Sequence, residues 1–204
     1  MKIIKNNKKN INLATATIKN GCVVVFPTET VYGLAADPFN EKAIKKVYVV
    51  KGRSFNKPLP LIAADFSVVK KYFKMSAPEL KLVKKYWPGP LTIILKIKTQ
   101  TTKHKKCFAK KVRESGLVAV RVSPHKIARA LAAAAGGFIV STSANISTKP
   151  ECFSVAEIKK QFKNSRSKPD LVLDAGCLKK SKPSTIVKVE KGKVVILRQG
   201  VIKL

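Results

Sequence analysis

The sequence predicts a single α/β domain built on a mixed, twisted open sheet flanked by helices, and three observations carry that prediction. Apolar runs of strand length alternate with segments of helical period along the chain. The last two runs flank a tight turn as an antiparallel hairpin, so the sheet is mixed rather than doubly wound. At 204 residues and 45% apolar content, the chain is long enough to bury one core, and no linker marks off a second. One domain is therefore expected over residues 1–204.

A short helix is expected from Ile11 to Lys19, with Asn12 at its start and Asn20-Gly21 as its stop. Cys22 to Phe26 (CVVVF) reads as a strand buried on both faces, running into the hydroxyl-rich turn Pro27-Thr28-Glu29-Thr30. Asn40 caps a helix to Lys51 with Ala43, Ile44, Val47, Tyr48 and Val50 inward, and Leu59 to Ala63 is the next strand. Asp65 or Ser67, then Ser76, cap two further helices. The second is halted by Trp87-Pro88-Gly89-Pro90 before the strand Leu91 to Ile97. Thr99 to Lys111 is a polar, lysine-rich loop. Leu117 to Val122 is a strand; Ser123 caps and Pro124 opens a helix that runs to Gly136-Gly137. Phe138 to Val140 is a strand that leads directly into Ser141-Thr142-Ser143-Ala144-Asn145. Ser154 caps a helix to Phe162, and Leu171 to Leu173 is a short strand. Thr185 to Val189 then pairs with Lys193 to Arg198 across Glu190-Lys191-Gly192.

No apolar run reaches the roughly 20 residues needed to span a bilayer, and the first segment lacks the apolar core of a signal peptide. A cytoplasmic protein with no membrane partner is expected. Cys22, Cys107, Cys152 and Cys177 are far apart, and His104 and His125 are the only histidines. His104 and Cys107 make half a metal site with no second half, so no metal centre is expected. Cys22 and Cys177 adjoin strands and are expected to be reduced, partly buried thiols.

The net charge of +31 admits two readings. Clustered cations bind polyanions by releasing counterions, which favours weak, nonspecific RNA binding. Lysine drift on a solvated surface, as in an AT-rich genome, gives the same charge with no partner. The 42 cations divide into 36 Lys and only 6 Arg, so the arginines are the more informative.

Polar clusters stand at several strand ends: Thr28-Glu29-Thr30, Ser141 to Asn145, and Ser184-Thr185. In open α/β sheets ligands bind at strand ends, although each cluster alone is ordinary turn chemistry. Lys51 and Arg53 leave the end of a helix, where cations also complement the dipole. In this composition a K-x-R spacing arises by chance about once per chain, and S-x-N about 0.6 times, so only the flanking strings make them specific.

Those strings are PTETVYGLAADP (Pro27 to Pro38), KGRSFNKPLPLIAAD (Lys51 to Asp65), WPGPLT (Trp87 to Thr92), VAVRV (Val118 to Val122), STSANIS (Ser141 to Ser147), and KPSTI with LRQG. Together, and in order, they resemble the YrdC/TsaC family of threonylcarbamoyl-AMP synthases over nearly the whole chain. Longer relatives carry an additional C-terminal domain; this chain, ending soon after LRQG, resembles the short bacterial form.

The resemblance implies a YrdC-like twisted open fold with a positive cavity. It also implies a reaction of L-threonine, bicarbonate or CO2, and ATP that gives threonylcarbamoyl-AMP and pyrophosphate. The product serves the N6-threonylcarbamoyladenosine modification of tRNA, which a separate transferase complex completes. Lys51 and Arg53 are the implied catalytic cations on the phosphates. Thr28, Arg121 and Ser184 are implied for threonine, and Ser143, Asn145 and Arg198 join Lys51 and Arg53 for ATP. Magnesium is expected to arrive with ATP, with no protein metal site. Glu29 and Asp37 are supporting partners. Asn145, as a ligand-binding side chain, is expected to contribute little to stability. Four positions depart from the family pattern: Ala35 and Thr148 stand where relatives carry glycine, Ser54 where proline is frequent, and Leu117 where Ser or Thr is frequent. Two other functions compete. A non-catalytic RNA-binding or ribosome-assembly protein explains the charge but not the strings, and a carbamoyl-transfer relative normally belongs to a larger chain.

Overall fold

The apolar runs assemble into two mixed sheets in the computed structural model, which describes residues 1–98 and 107–204. His104 and most of the expected polar loop lie outside the described residues. The elements are β1 (Lys2–Lys5), α1 (Lys8–Lys19), β2 (Val24–Pro27), β3 (Tyr32–Ala35), α2 (Glu41–Lys51), β4 (Leu61–Ala63), α3 (Phe66–Tyr72), β5 (Phe73–Lys74), α4 (Ala77–Tyr86) and β6 (Leu91–Ile97). After them come α5 (Lys110–Arg113), β7 (Leu117–Val122), α6 (Lys126–Ala134), β8 (Phe138–Val140), β9 (Thr142–Ser143), α7 (Val155–Phe162), β10 (Leu171–Asp174), β11 (Thr185–Glu190) and β12 (Lys193–Arg198).

The first sheet has the order β1-β10-β2-β3-β9; β1, β10 and β2 are parallel, and β3 is antiparallel to both neighbours. The second has the order β12-β11-β6-β7-β4-β8, with β5 also paired to β6. The mixed α/β fold is therefore as expected, but its strands are shared between two sheets. Period-2 alternation shows why. Along β2, Val23 and Val25 enter one core cluster while Val24 and Phe26 enter the other. On β4, Leu61 and Ala63 face the larger cluster and Ile62 the smaller, beneath α1 and α6.

Caps set the helix starts. Asn40 Oδ1 accepts from the N–H groups of Lys42 (2.9 Å) and Ala43 (3.2 Å), as expected. Asp65 caps α3 through Val68 N at 2.9 Å, and Glu79 reaches back to Ser76 N at 2.6 Å in a capping box. Ser154 and Glu157 form a second box at α7. Elsewhere the starts differ from expectation. Helix α1 begins at Lys8 because Asn7 Oδ1 takes Asn10 N at 2.9 Å, which leaves Asn12 inside the helix. Helix α6 begins at Lys126 behind His125: the Ser123 hydroxyl accepts from His125 N at 3.1 Å in a turn ahead of the helix, and donates to Glu29 at 2.5 Å. Strands β1 and β3, like the short β5, α5 and β9, are not among the expected elements. The first is two isoleucines between lysines, and its register comes from pairing with β10. The second lies within a string otherwise read as turn and loop.

The β11–β12 hairpin turns at Lys191 and Gly192, both at positive φ (48° and 77°), as the right-handed twist of such hairpins requires. Cys22 is half-buried as expected, whereas Cys177 is exposed because β10 has already ended. Among the described residues, no helix is long and apolar enough to cross a membrane.

Candidate active site

A cavity of about 340 Å³ opens between the two sheets. The first sheet contributes Thr28 and Thr30 from the β2–β3 turn and Ser143 from β9. The second contributes Thr92 from β6, Arg121 from β7, Ser184 just before β11 and Arg198 from β12. Leu61, Ile94, Ala119, Ile186 and Leu197 complete an apolar side. Six of the eight residues singled out in the sequence line this cavity; Lys51 and Asn145 stand behind its wall.

The β2–β3 turn is organised by one hydroxyl. Thr28 Oγ1 accepts from the N–H groups of Thr30 (3.2 Å) and Val31 (3.1 Å) and donates to Val31 O at 2.6 Å. With that proton committed, the Thr30 hydroxyl 3.0 Å away donates to Thr28. Thr28 thus shapes the turn as well as lining the cavity. Glu29, in the middle of the turn, crosses to the other sheet. One carboxylate oxygen takes Arg121 Nη1, and the other takes the Ser123 hydroxyl at 2.5 Å. Burial, with a smaller contribution from the Arg198 charge, pushes the Arg121 guanidinium below its ordinary range, and the Glu29 charge opposes that shift. Asp37 instead caps its own loop at Phe39 N, 2.9 Å away.

Helix α2 ends on Gly52, whose φ of +58° is a left-handed conformation suited to glycine. The reversal sends Lys51 and Arg53 to different tasks. Lys51 Nζ donates to Ser143 O (2.6 Å), Asn145 Oδ1 (2.8 Å) and Asn145 O (3.1 Å), with Ser143 Oγ at 3.2 Å. Burial, and then Arg53, push this amine down to about 8. Asn145 Nδ2 donates in turn to Lys149 O at 2.6 Å and Ile146 O at 3.2 Å. Against the expectation that Asn145 matters little to stability, its side chain is buried and ties the end of α2 to the loop after β9. Arg53 lines the cavity itself. Its Nη2 donates to Pro58 O at 3.0 Å, while its buried Nε has no acceptor.

On the far wall, Arg198 Nε and Nη2 grip Ser184 O at 3.1 and 2.8 Å, and Nη2 also reaches Ser184 Oγ at 3.0 Å. The Ser184 hydroxyl meets Thr92 Oγ1 at 2.9 Å. The KPSTI and LRQG strings are adjacent for this reason and for a second one. Gly200 packs so tightly that a Cβ there would stand 2.1 Å from Pro183 O. Thr92 and Glu151 are cavity residues to which sequence reasoning gave no role. Thr92 had a signal, standing at the start of a strand inside a recognised string, whereas Glu151 had only the scarcity of acids, 11 against 42 cations. Leu117, at the opposite end of β7 from Arg121, is not a cavity residue. Thr148 adopts φ 72°, a left-handed conformation that favours glycine.

The cavity therefore presents three guanidiniums, a row of hydroxyls and an apolar side: a receptor for an anionic ligand with an apolar part. Among the described residues no group of three or more His, Cys, Asp or Glu could hold a metal. Burial raises the Cys152 thiol to about 11, which keeps it protonated and unreactive.

Comparison with known proteins agrees with this geometry. The chain is 38% identical over 200 residues to a Methanocaldococcus jannaschii protein named "Putative threonylcarbamoyl-AMP synthase", covering 98% of this chain and 90% of that one. It is 35% identical over 193 residues to the threonylcarbamoyl-AMP synthase of Pyrococcus abyssi, covering 93% of this chain but only 54% of that protein. The crystal structure of P. abyssi Sua5 complexed with L-threonine superposes with a TM-score of 0.83 at 31% identity, over 98% of this chain and 56% of that one. Residues 16–200 match the Sua5/YciO/YrdC family, described as "Telomere recombination". The chain belongs to the Sua5/YciO/YrdC family.

Proposed function

We propose that this protein is a threonylcarbamoyl-AMP synthase. It joins L-threonine, bicarbonate or CO2, and ATP into threonylcarbamoyl-AMP, releasing pyrophosphate. One observation carries the reading beyond family membership: Arg53, with a buried Nε that lacks an acceptor, faces Arg121 and Arg198 in one cavity. Neither Arg53 nor Arg198 has an anionic partner among the described residues, and a nucleotide with an amino acid supplies anions for them.

The chemistry suits such a site. The threonine amine adds to CO2 and loses a proton, giving a carbamate. A carbamate oxygen attacks the α-phosphorus of ATP, and the bond to the bridging oxygen breaks as pyrophosphate leaves. The reaction needs alignment and charge neutralisation more than a nucleophilic side chain. In this reading Arg121 takes the threonine carboxylate, with Thr28 and Ser184 beside it. Arg53 and Arg198 take phosphate oxygens, and Ser143 holds the nucleotide. Lys51 and Asn145 act from behind Ser143, and the Lys51 charge adds to the field on the phosphates. Magnesium enters as the ATP complex. Among the described residues no group of three or more His, Cys, Asp or Glu could hold a metal, which suits an ion that would keep phosphate and water ligands rather than a protein cage. The ion shields the triphosphate charge.

The product would supply tRNA modification through a separate transferase in the cytoplasm, so tRNA is a pathway partner and not a ligand required for the first step. The RNA-binding alternative rests on the charge of +31. It gives no reason for three guanidiniums to converge on one cavity between the sheets. Under the synthase reading RNA binds weakly, and its affinity collapses as salt rises from about 50 to 200 mM. Incubation with ATP, magnesium, bicarbonate and each amino acid in turn tests the function. Pyrophosphate release is expected with threonine and bicarbonate together; turnover indifferent to threonine would refute it.

A further inference from the structure

L-Threonine brings three polar groups to the cavity: a carboxylate, a hydroxyl and an ammonium. The walls are rich in partners for the first two. An ammonium requires an acceptor, preferably an anion, and anions are scarce in a chain with 11 acidic residues. Glu29 does not serve, because its two oxygens are taken by Arg121 and Ser123. Glu151 is the one carboxylate among the residues lining the cavity, and no described residue donates a hydrogen bond to it or pairs with it. Its backbone is fastened at the right place. The carbonyl of the next residue, Cys152, accepts from Tyr32 N at 3.1 Å, which sets Glu151 beside the turn that carries Thr28 and Thr30. Its charge is felt at both Lys51 and Arg198, and neither is hydrogen-bonded to it.

We propose that Glu151 receives the ammonium group of the amino-acid substrate and makes the site selective for amino acids over the corresponding acids that lack the amino group. The inference rests on the synthase reading and adds a specificity-determining residue to it. A carboxylate held free of partners inside a cationic cavity attracts a small cation that arrives already attached to a carboxylate. Arg121 and Glu151 then bind the two ends of the zwitterion, which fixes the nitrogen, the atom that must meet CO2.

Calorimetric binding of L-threonine and of 3-hydroxybutanoate, which is threonine without its amino group, tests the assignment on the intact chain. Glu151→Gln is expected to weaken threonine about 10–100-fold, the range of a hydrogen bond to a charged group, while leaving 3-hydroxybutanoate unchanged. Glu151→Asp is expected to recover part of the loss, and Glu190→Gln, a surface substitution, to change neither. Should Glu151→Gln melt early, Glu151→Asp supplies the same comparison, with a smaller loss confined to threonine. Equal weakening of both ligands, or none, would overturn the inference while leaving the synthase reading intact. So would an altered magnesium dependence of ATP binding with threonine binding unchanged, which would make Glu151 a metal ligand. Failure of the unsubstituted protein to bind threonine would refute the synthase reading itself.

Discussion

Lys51 and Asn145 are joined twice: the buried ammonium donates to the side-chain oxygen of Asn145 at 2.8 Å and to its main-chain oxygen at 3.1 Å. The end of α2 is thereby stitched to the loop after β9, and Ser143 is held at the cavity wall. Asn145→Ala removes an acceptor from a buried ammonium and a donor from Lys149 O. A loss of about 1–3 kcal/mol of stability is expected, together with lower turnover. Urea denaturation of the variant measures it; an unchanged midpoint would show that the cluster is not bracing the site.

Lys51 also gives a pH dependence. Its ordinary value is 10.5, and burial, assisted by Arg53, brings it down to about 8. Between those values the folded chain binds fewer protons at this site than the unfolded chain, so its contribution to stability rises with pH. Below about pH 8 the fold carries the desolvated ammonium at its full cost. The unfolding free energy of the wild type relative to Lys51→Met is expected to rise from pH 8 to 10.5, while turnover falls as Nζ loses a donor. A flat difference across that window would contradict the assigned burial.

The Glu29–Arg121 pair bridges the two sheets with both side chains largely buried. Glu29→Ala leaves the guanidinium unpaired, and a destabilisation of about 3–5 kcal/mol is expected. Replacing both residues by leucine should recover most of that stability but not threonine affinity. A double variant as unstable as the single one would mean that the pair is not the source of the loss.

Thr148 holds φ at 72° with a β-branched side chain, a conformation that favours glycine. Thr148→Gly is expected to stabilise the protein by about 0.5–1 kcal/mol, since relief of strain outweighs the added freedom of the unfolded chain. The melting temperature reads this directly, and a fall would show that the threonine side chain compensates the strain.

Much of this was legible in the sequence because local chemistry dictates it. Asn40, Asp65, Ser76 and Ser154 cap their helices as their positions predict. The buried run around β2 and the Lys191–Gly192 hairpin follow from alternation and turn type. What was hidden depends on partners distant in the chain. Strand β1 exists because β10, far along the sequence, offers an edge, and Glu29 meets Arg121 and Ser123 from 92 and 94 residues away. Six of the eight residues that the family strings singled out line one cavity. The strings could not show that Lys51 spends its protons on Asn145 and Ser143, because that depends on how Gly52 reverses the chain.

The most direct test uses carbon-13-labelled bicarbonate with ATP, magnesium and L-threonine, followed by mass detection of the adenylate. Synthesis predicts threonylcarbamoyl-AMP carrying the label, formed in step with pyrophosphate and lost at least about 10²-fold in Arg53→Ala but not in the surface control Lys70→Ala. An adenylate without the label, or phosphate released in place of pyrophosphate, would contradict the account.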